Sequence, residues 1–82
     1  MRTNTLAAFI AANYPDFTIE SGEHAPLDMD ISHGVDVITY DNTTHGGGVT
    51  VTLYPYILWD DGGYKPCRYW GLSYQITLTK WR

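Results

Sequence analysis

Four residues in one short segment have the side-chain types that could bind a metal ion. They are His24, Asp28, Asp30 and His33. Two imidazoles and two carboxylates suit zinc or manganese when a loop folds around them. Their spacing matches no closed zinc pattern, and it lacks the glycine placement of a calcium-binding EF-hand loop. We favour solvated loop residues, and we keep a metal-dependent enzyme using the His24–His33 loop as the less favoured alternative.

Three further groups have residue types used in catalysis. Cys67 is the single cysteine, and no histidine is placed beside it by the sequence, so a small apolar packing role is favoured. Asp60 and Asp61 precede two glycines, which is typical of a turn. His45 and the three glycines after it match an esterase oxyanion-hole motif, but the chain is too short for that fold and lacks its serine elbow. We therefore predict no enzymatic activity and no cofactor.

The formal net charge of −4 is unevenly distributed. All nine acidic residues lie within 16–61, which contains no Lys or Arg, whereas 62–82 contains basic residues and no acid. We favour neutralisation between the two segments, brought together by antiparallel strands. The alternative is an acidic face that attracts a basic partner. Phosphate would be repelled by such a surface, so direct nucleic-acid binding is not expected.

Tyrosine and tryptophan are unusually frequent, with seven Tyr and three Trp against two Phe. These residues are enriched in protein interfaces, although cross-strand packing is an equally good explanation. We expect Trp59, Trp70 and Tyr74 to point toward the core. The candidate partner-binding residues are Tyr54, Tyr56, Tyr69, Trp81, Asp36, Asp41, Asp60 and Asp61.

One helix must precede the strands that position these side chains. The 82 residues, 44% of them apolar, suffice for a single domain covering 1–82. Residues 4–14 predict a helix, with Thr3 or Asn4 as its cap and Pro15 preventing its continuation. Its apolar face carries Leu6, Phe9, Ile10 and Tyr14.

The rest of the chain has the two-residue period of strands. Strands are predicted near 17–20, 35–40, 49–59 and 64–80. A two-residue Asp61-Gly62 turn would pair Val51 with Leu72, Ile57 with Pro66 and Trp59 with Tyr64. We expect a bend near Pro55 and the end of the last strand beside 35–40. The predicted fold class is α+β, with one N-terminal helix packed on an antiparallel sheet of about four strands in two layers.

In size, acidity and α+β build, the chain resembles small phage-encoded anti-defence proteins such as anti-CRISPR inhibitors. The resemblance implies steric blocking of a nucleic-acid-processing host complex, with acidic residues standing in for phosphate. The expected partner is then a protein or nucleoprotein complex of the host.

The segment LAAFIAANYPDFTIESGEHAP is similar to the helix–strand start of phage tail-terminator proteins. That similarity implies a structural or assembly protein, or a homodimer joined through sheet edges. No apolar run is long enough for a membrane span, and the run after Arg2 is short for a signal peptide. A cytoplasmic location is therefore expected.

Overall fold

The computed structural model describes residues 4–20, 25–41, 46–70 and 74–81. The elements are helix α1 (Leu6–Asn13), strands β1 (Thr18–Ile19), β2 (Val35–Asp41), β3 (Val49–Leu58) and β4 (Tyr64–Pro66), a 3₁₀ helix (Cys67–Trp70) and strand β5 (Ile76–Lys80). The predicted α+β class is confirmed, with a five-stranded antiparallel sheet rather than about four strands. Within the described ranges, no helix has both the length and the apolarity needed to cross a membrane.

The residue that caps helix α1 lies one or two positions after the predicted cap residues. Thr5, not Thr3 or Asn4, caps the helix, because its extended backbone lets Oγ1 accept a hydrogen bond from the Ala8 amide at 3.1 Å. The first two helical amides donate to carbonyls of the segment 27–29, each at 2.9 Å. These amides, which have no acceptor within the helix, thus find acceptors in another segment of the chain.

The predicted apolar face of α1 is confirmed. Leu6 and Ile10 are buried, and Phe9 and Tyr14 pack against them. Beneath the helix lie buried side chains of β3 and β5, namely Val51, Leu53, Ile76 and Leu78. The core therefore lies between α1 and one face of the sheet.

The sheet has the strand order β1-β5-β3-β2. β3 pairs with β2 from Val49 to Pro55, and on its other edge it pairs with β5 from Val49 to Leu53. The last strand therefore lies between β3 and β1, and its predicted place beside the 35–40 strand is wrong.

The predicted strand 64–80 is divided in two. β4 ends at Pro66, the 3₁₀ helix follows, and β5 begins at Ile76. β5 ends its pairing opposite Leu53, and β4 begins its pairing opposite Tyr56. Pro55 lies between these two pairings, and its missing amide proton explains why neither partner continues past it.

The predicted turn and its register are wrong by one residue. Tyr56 pairs with Pro66, and Leu58 pairs with Tyr64. The turn has three residues, because the Trp59 amide donates to the Gly63 carbonyl at 2.7 Å and Gly62 has a φ of 85°. A type I turn followed by a left-handed glycine is the usual three-residue hairpin, and the sequence alone did not distinguish it from the two-residue form.

Two predicted inward positions also differ. Tyr74 is 43% exposed, and Trp59 is half-buried outside the main core cluster. Both residues were predicted to face the core because one continuous strand 64–80 was expected to pair with β3. That segment is divided into β4 and β5, so the predicted register does not apply. Val51 pairs with Leu78, so its predicted pairing with Leu72 is wrong. The direction of the Trp70 side chain lies outside the described part of the chain.

Candidate functional site

The two faces of the sheet carry different residues. Side chains alternate along β3, so Val51 and Leu53 face α1 whereas Thr52 and Tyr54 face away from it. We call the second face the outer face. On its three longest strands it carries Asp36, Ile38, Tyr40, Thr50, Thr52, Tyr54, Thr77 and Thr79. Two of the predicted partner-binding residues, Asp36 and Tyr54, lie on this outer face.

Arg68 connects three of the predicted partner-binding residues. Its Nε donates to Asp36 Oδ2 at 2.8 Å, and its Nη2 donates to the Tyr69 hydroxyl at 3.1 Å. The guanidinium carbon also lies 4.5 Å from the centre of the Tyr69 ring. Tyr54 is directly opposite Asp36 in the pairing of β2 with β3. We call Asp36, Tyr54, Arg68 and Tyr69 the Arg68 cluster.

The electrostatics of the Arg68 cluster keep the guanidinium charged. Its hydrogen bond to Asp36 raises the pKa of Arg68 above its already high ordinary value, and Tyr69 and Tyr54 act in the same direction. Tyr69 is 59% exposed beside this charge. Sequence reasoning missed Arg68, although the separation of acidic and basic segments was the signal that a basic residue of 62–82 would meet an acid of 16–61.

The Tyr56 ring of β3 packs against Gly34, the residue that precedes β2. A Cβ at Gly34 would lie 3.1 Å from the Tyr56 ring, and Gly34 has a φ of 126°, so a side chain there would be both crowded and strained. The Tyr56 amide donates to the Gly34 carbonyl at 3.1 Å. Tyr56 is half-buried by this contact, unlike the exposed Tyr69.

The acids of the hairpin turn have unequal roles. Asp61 Oδ1 accepts a hydrogen bond from the Gly63 amide at 2.9 Å, which confirms the turn interpretation of this residue. Lys65 Nζ lies 3.8 Å from Asp61 and 4.7 Å from the centre of the Trp59 ring. Asp60 is exposed, and the hydrogen bond to Gly63 and the ion pair with Lys65 both belong to Asp61.

Asp41 and Trp81 lie at the opposite end of the sheet. Asp41 pairs with Val49, Val49 pairs with Lys80, and Trp81 follows at 57% exposure. The ten-residue β3 separates this end from the hairpin turn by about 33 Å, at the rise of an extended strand. The predicted site residues therefore do not form one surface.

Opposite charges from the two halves of the sequence do meet. The ion pairs are Asp36–Arg68 at 2.8 Å, Asp61–Lys65 at 3.8 Å and Asp16–Lys80 at 3.8 Å. Each joins the acidic range 16–61 to the basic range 62–82, as the favoured interpretation of the charge pattern predicted. Asp28, Asp41 and Asp60 are exposed, and β3 separates Asp41 from Asp60 along its whole length.

The histidine loop has other contacts in the part that the structure describes. Asp30 Oδ1 accepts a hydrogen bond from the Ser32 amide at 2.9 Å, and His33 stacks on Tyr64 with 3.5 Å between ring centres and 3° between planes. His24 lies outside the described residues. Among those that are described, no three His, Cys, Asp or Glu side chains are grouped closely enough to hold a metal ion.

Cys67 is buried at the start of the 3₁₀ helix. Burial raises the pKa of its thiol above the ordinary value, because a thiolate would lose its hydration there. The protonated thiol therefore packs as a small apolar group at neutral pH.

Comparison of the whole chain with protein-family models, curated proteins and solved structures finds no match.

Proposed function

We propose that this protein is a small, non-enzymatic binding protein that occupies a surface of a larger protein or nucleoprotein complex of its host and thereby inhibits it. Steric blocking of this kind is what the anti-CRISPR-like profile of the sequence implies. The Arg68 cluster is the contact region we assign to this role, and Tyr56 and Asp60 are secondary contacts.

The observation that carries the proposal is the arrangement of Arg68 and Tyr69. Tyr and Arg are the residue types most enriched at binding hot spots, together with Trp. Asp36 holds the guanidinium by a 2.8 Å hydrogen bond, and Tyr69 is 59% exposed beside it. Side chains fixed before binding lose less conformational entropy when a partner covers them.

The experiment is affinity capture of tagged variants from a lysate of the natural host, read by mass spectrometry with nuclease and EDTA controls. Tyr69→Ala should weaken binding of the captured complex by at least about thirtyfold, the effect of losing one hot-spot residue. Leu27→Ala is the matched control, because Leu27 is 44% exposed and lies beside α1 rather than on the outer face.

A charge-reversal pair tests the acidic contribution. Asp60→Lys should weaken the same complex, whereas Asp28→Lys should not, since both acids are exposed and only Asp60 is assigned as a secondary contact. Equal binding by wild type, Tyr69→Ala and Asp60→Lys, with unchanged thermal stability, would reject the assignment.

A second candidate function is assembly through the edge of β2. The Tyr56 amide donates to the Gly34 carbonyl, so even-numbered backbone groups of β2 face β3 and odd-numbered groups face outward. β2 is the last strand on its side of the sheet in the described part of the chain. Antiparallel pairing of two copies about Ile38 would place Val37 opposite Thr39 and Asp36 opposite Tyr40, without bringing two acids face to face.

Sedimentation over a range of protein concentrations tests this assembly candidate. A dimer whose dissociation increases in Thr39→Pro would support it, because that substitution removes an outward amide and spares the ladder with β3. Val37→Lys provides a second disruption of the same edge. A monomer at every concentration would exclude assembly and leave the inhibitor proposal untouched.

A further inference from the structure

The outer edge of β2 lacks the features that usually keep a sheet edge from pairing. β2 is seven residues long and pairs with β3 without interruption from Val35 to Asp41. It contains no Lys, no Pro and no bulge, and Val37 and Tyr40, on its two faces, are 37% and 61% exposed. A long, regular and partly apolar edge of this kind readily pairs with another strand.

The acidic residues of β2 do not oppose pairing with a second copy of the chain. Asp36 already forms an ion pair with Arg68 at 2.8 Å, so its charge is compensated within its own chain. In antiparallel pairing about Ile38, Asp41 lies opposite Val35 of the second copy. No like charges are therefore brought directly opposite each other.

The backbone of β2 selects this register. The outward backbone groups belong to the odd-numbered residues, and an antiparallel ladder needs outward groups on both strands opposite each other. Pairing about Ile38 meets this condition and also uses every residue from Val35 to Asp41. The two-fold axis then passes beside Ile38, perpendicular to the sheet, so the outer faces of both copies lie on the same side.

In this register, Tyr40 of the second copy comes directly opposite Asp36. Their pair has no mutual backbone hydrogen bonds, and in such pairs the Cα atoms are only about 4.5 Å apart and the side chains are close. Asp36 and Tyr40 both lie on the outer face, and the Arg68 and Asp36 side chains are 37% and 34% exposed. The second copy thus brings an exposed tyrosine to the edge of the Arg68 cluster.

We propose that a second copy of this chain pairs with the edge of β2 and that its Tyr40 completes the Arg68 cluster. Each dimer then has two identical contact regions on one continuous sheet face, and each region is built from both copies. This inference rests on the assembly candidate and joins it to the inhibitory role, since the contact region is complete only in the dimer.

Cysteine cross-linking of the full chain tests the register. Ile38→Cys should form a covalent dimer under mild oxidation, because the two copies of residue 38 face each other at a distance that a disulfide spans. Asp36→Cys and Tyr40→Cys should each give no covalent dimer alone and should cross-link when they are mixed. Wild type, whose single cysteine Cys67 is buried, is the control and should not cross-link.

The NMR signal of the Arg68 Nε proton tests the composite site. This signal should shift as wild type is concentrated, because the ring of Tyr40 from the second copy then lies beside the cluster. Most of the shift should be lost in Tyr40→Leu at concentrations where sedimentation shows that variant to be dimeric. Tyr74→Leu is the matched control, since Tyr74 is 43% exposed and lies outside β2, and it should retain the shift.

Three results would overturn the proposal. A monomer at every concentration would remove the second copy and leave the inhibitor proposal untouched. A dimer in which Ile38→Cys does not cross-link would have another interface, so that assembly would stand while this inference fails. Cross-linking at residue 38 with an unchanged Arg68 signal would show that Tyr40 of the second copy does not join the cluster.

Discussion

The two halves of β3 differ in how they are covered. Residues 49–53, the inner half, lie between β2 and β5 beneath α1, and Val51 and Leu53 have almost no exposed surface. Residues 56–58, the outer half, pair with β4, and there Leu58 is 59% exposed. Pro55 marks the change from one half to the other.

A single strand thus contributes buried side chains to the core in one half and exposed side chains to the surface in the other. The inner half buries apolar side chains on the α1 side, which stabilises the fold. The outer half pairs with the short strand β4 and leaves Leu58 exposed at the surface. A substitution should therefore have a very different effect on either side of Pro55.

The largest expected effect is at Leu53. Leu53→Ala should lower the free energy of unfolding by about 2–5 kcal/mol, because it leaves a cavity at a fully buried position. Leu58→Ala, the same substitution in the outer half, should change it by no more than about 0.5 kcal/mol. Urea unfolding measures both, and equal losses would mean that the two halves are equally covered.

A smaller effect is expected at the hairpin turn. Gly62→Ala should destabilise the turn by about 1 kcal/mol, because Gly62 has a φ of 85° that a side chain disfavours. Hydrogen exchange at the Trp59 amide, which donates to the Gly63 carbonyl, should accelerate, while amides of the inner half stay protected. Asp60→Ala is the control, and acceleration throughout β3 would contradict independent behaviour of the halves.

The smallest effect concerns Cys67, a buried residue directly after β4. Burial raises the thiol pKa in the folded state, so its contribution to stability is complete below the ordinary value of 9.0 and is lost as the pH rises further. The stability of wild type should therefore fall more steeply above pH 9 than that of Cys67→Ala. Parallel curves in urea unfolding at each pH would show that the thiol is not desolvated.

Local sequence signals predicted several elements well. Pro15 ended the helix at Asn13, and the predicted apolar face of α1 contacts the core. The alternating apolar residues of β2 and β3 identified both strands within one or two residues. These features depend on neighbours in the chain, so the sequence carries them directly.

The wrong predictions of register and strand order arose where two strands pair with successive parts of β3. Residues 64–80 have a strand pattern throughout, yet β4 and β5 occupy successive parts of the same edge of β3, with the 3₁₀ helix between them. A one-residue change in turn length shifted the hairpin register, and both turn types suit the same residues. Periodicity does not report which strand a segment pairs with.

The contacts around the candidate site residues show the same difference between local sequence signals and tertiary contacts. The sequence by itself determined the fold class, the helix and the separation of acidic and basic segments, because composition and local period fix them. Only the tertiary structure decided that Arg68 joins Asp36 to Tyr69, and that His33 stacks on Tyr64 rather than grouping with other metal-binding side chains in the described residues. Such contacts join residues far apart in the chain, and their geometry is set by how the sheet and the loops pack.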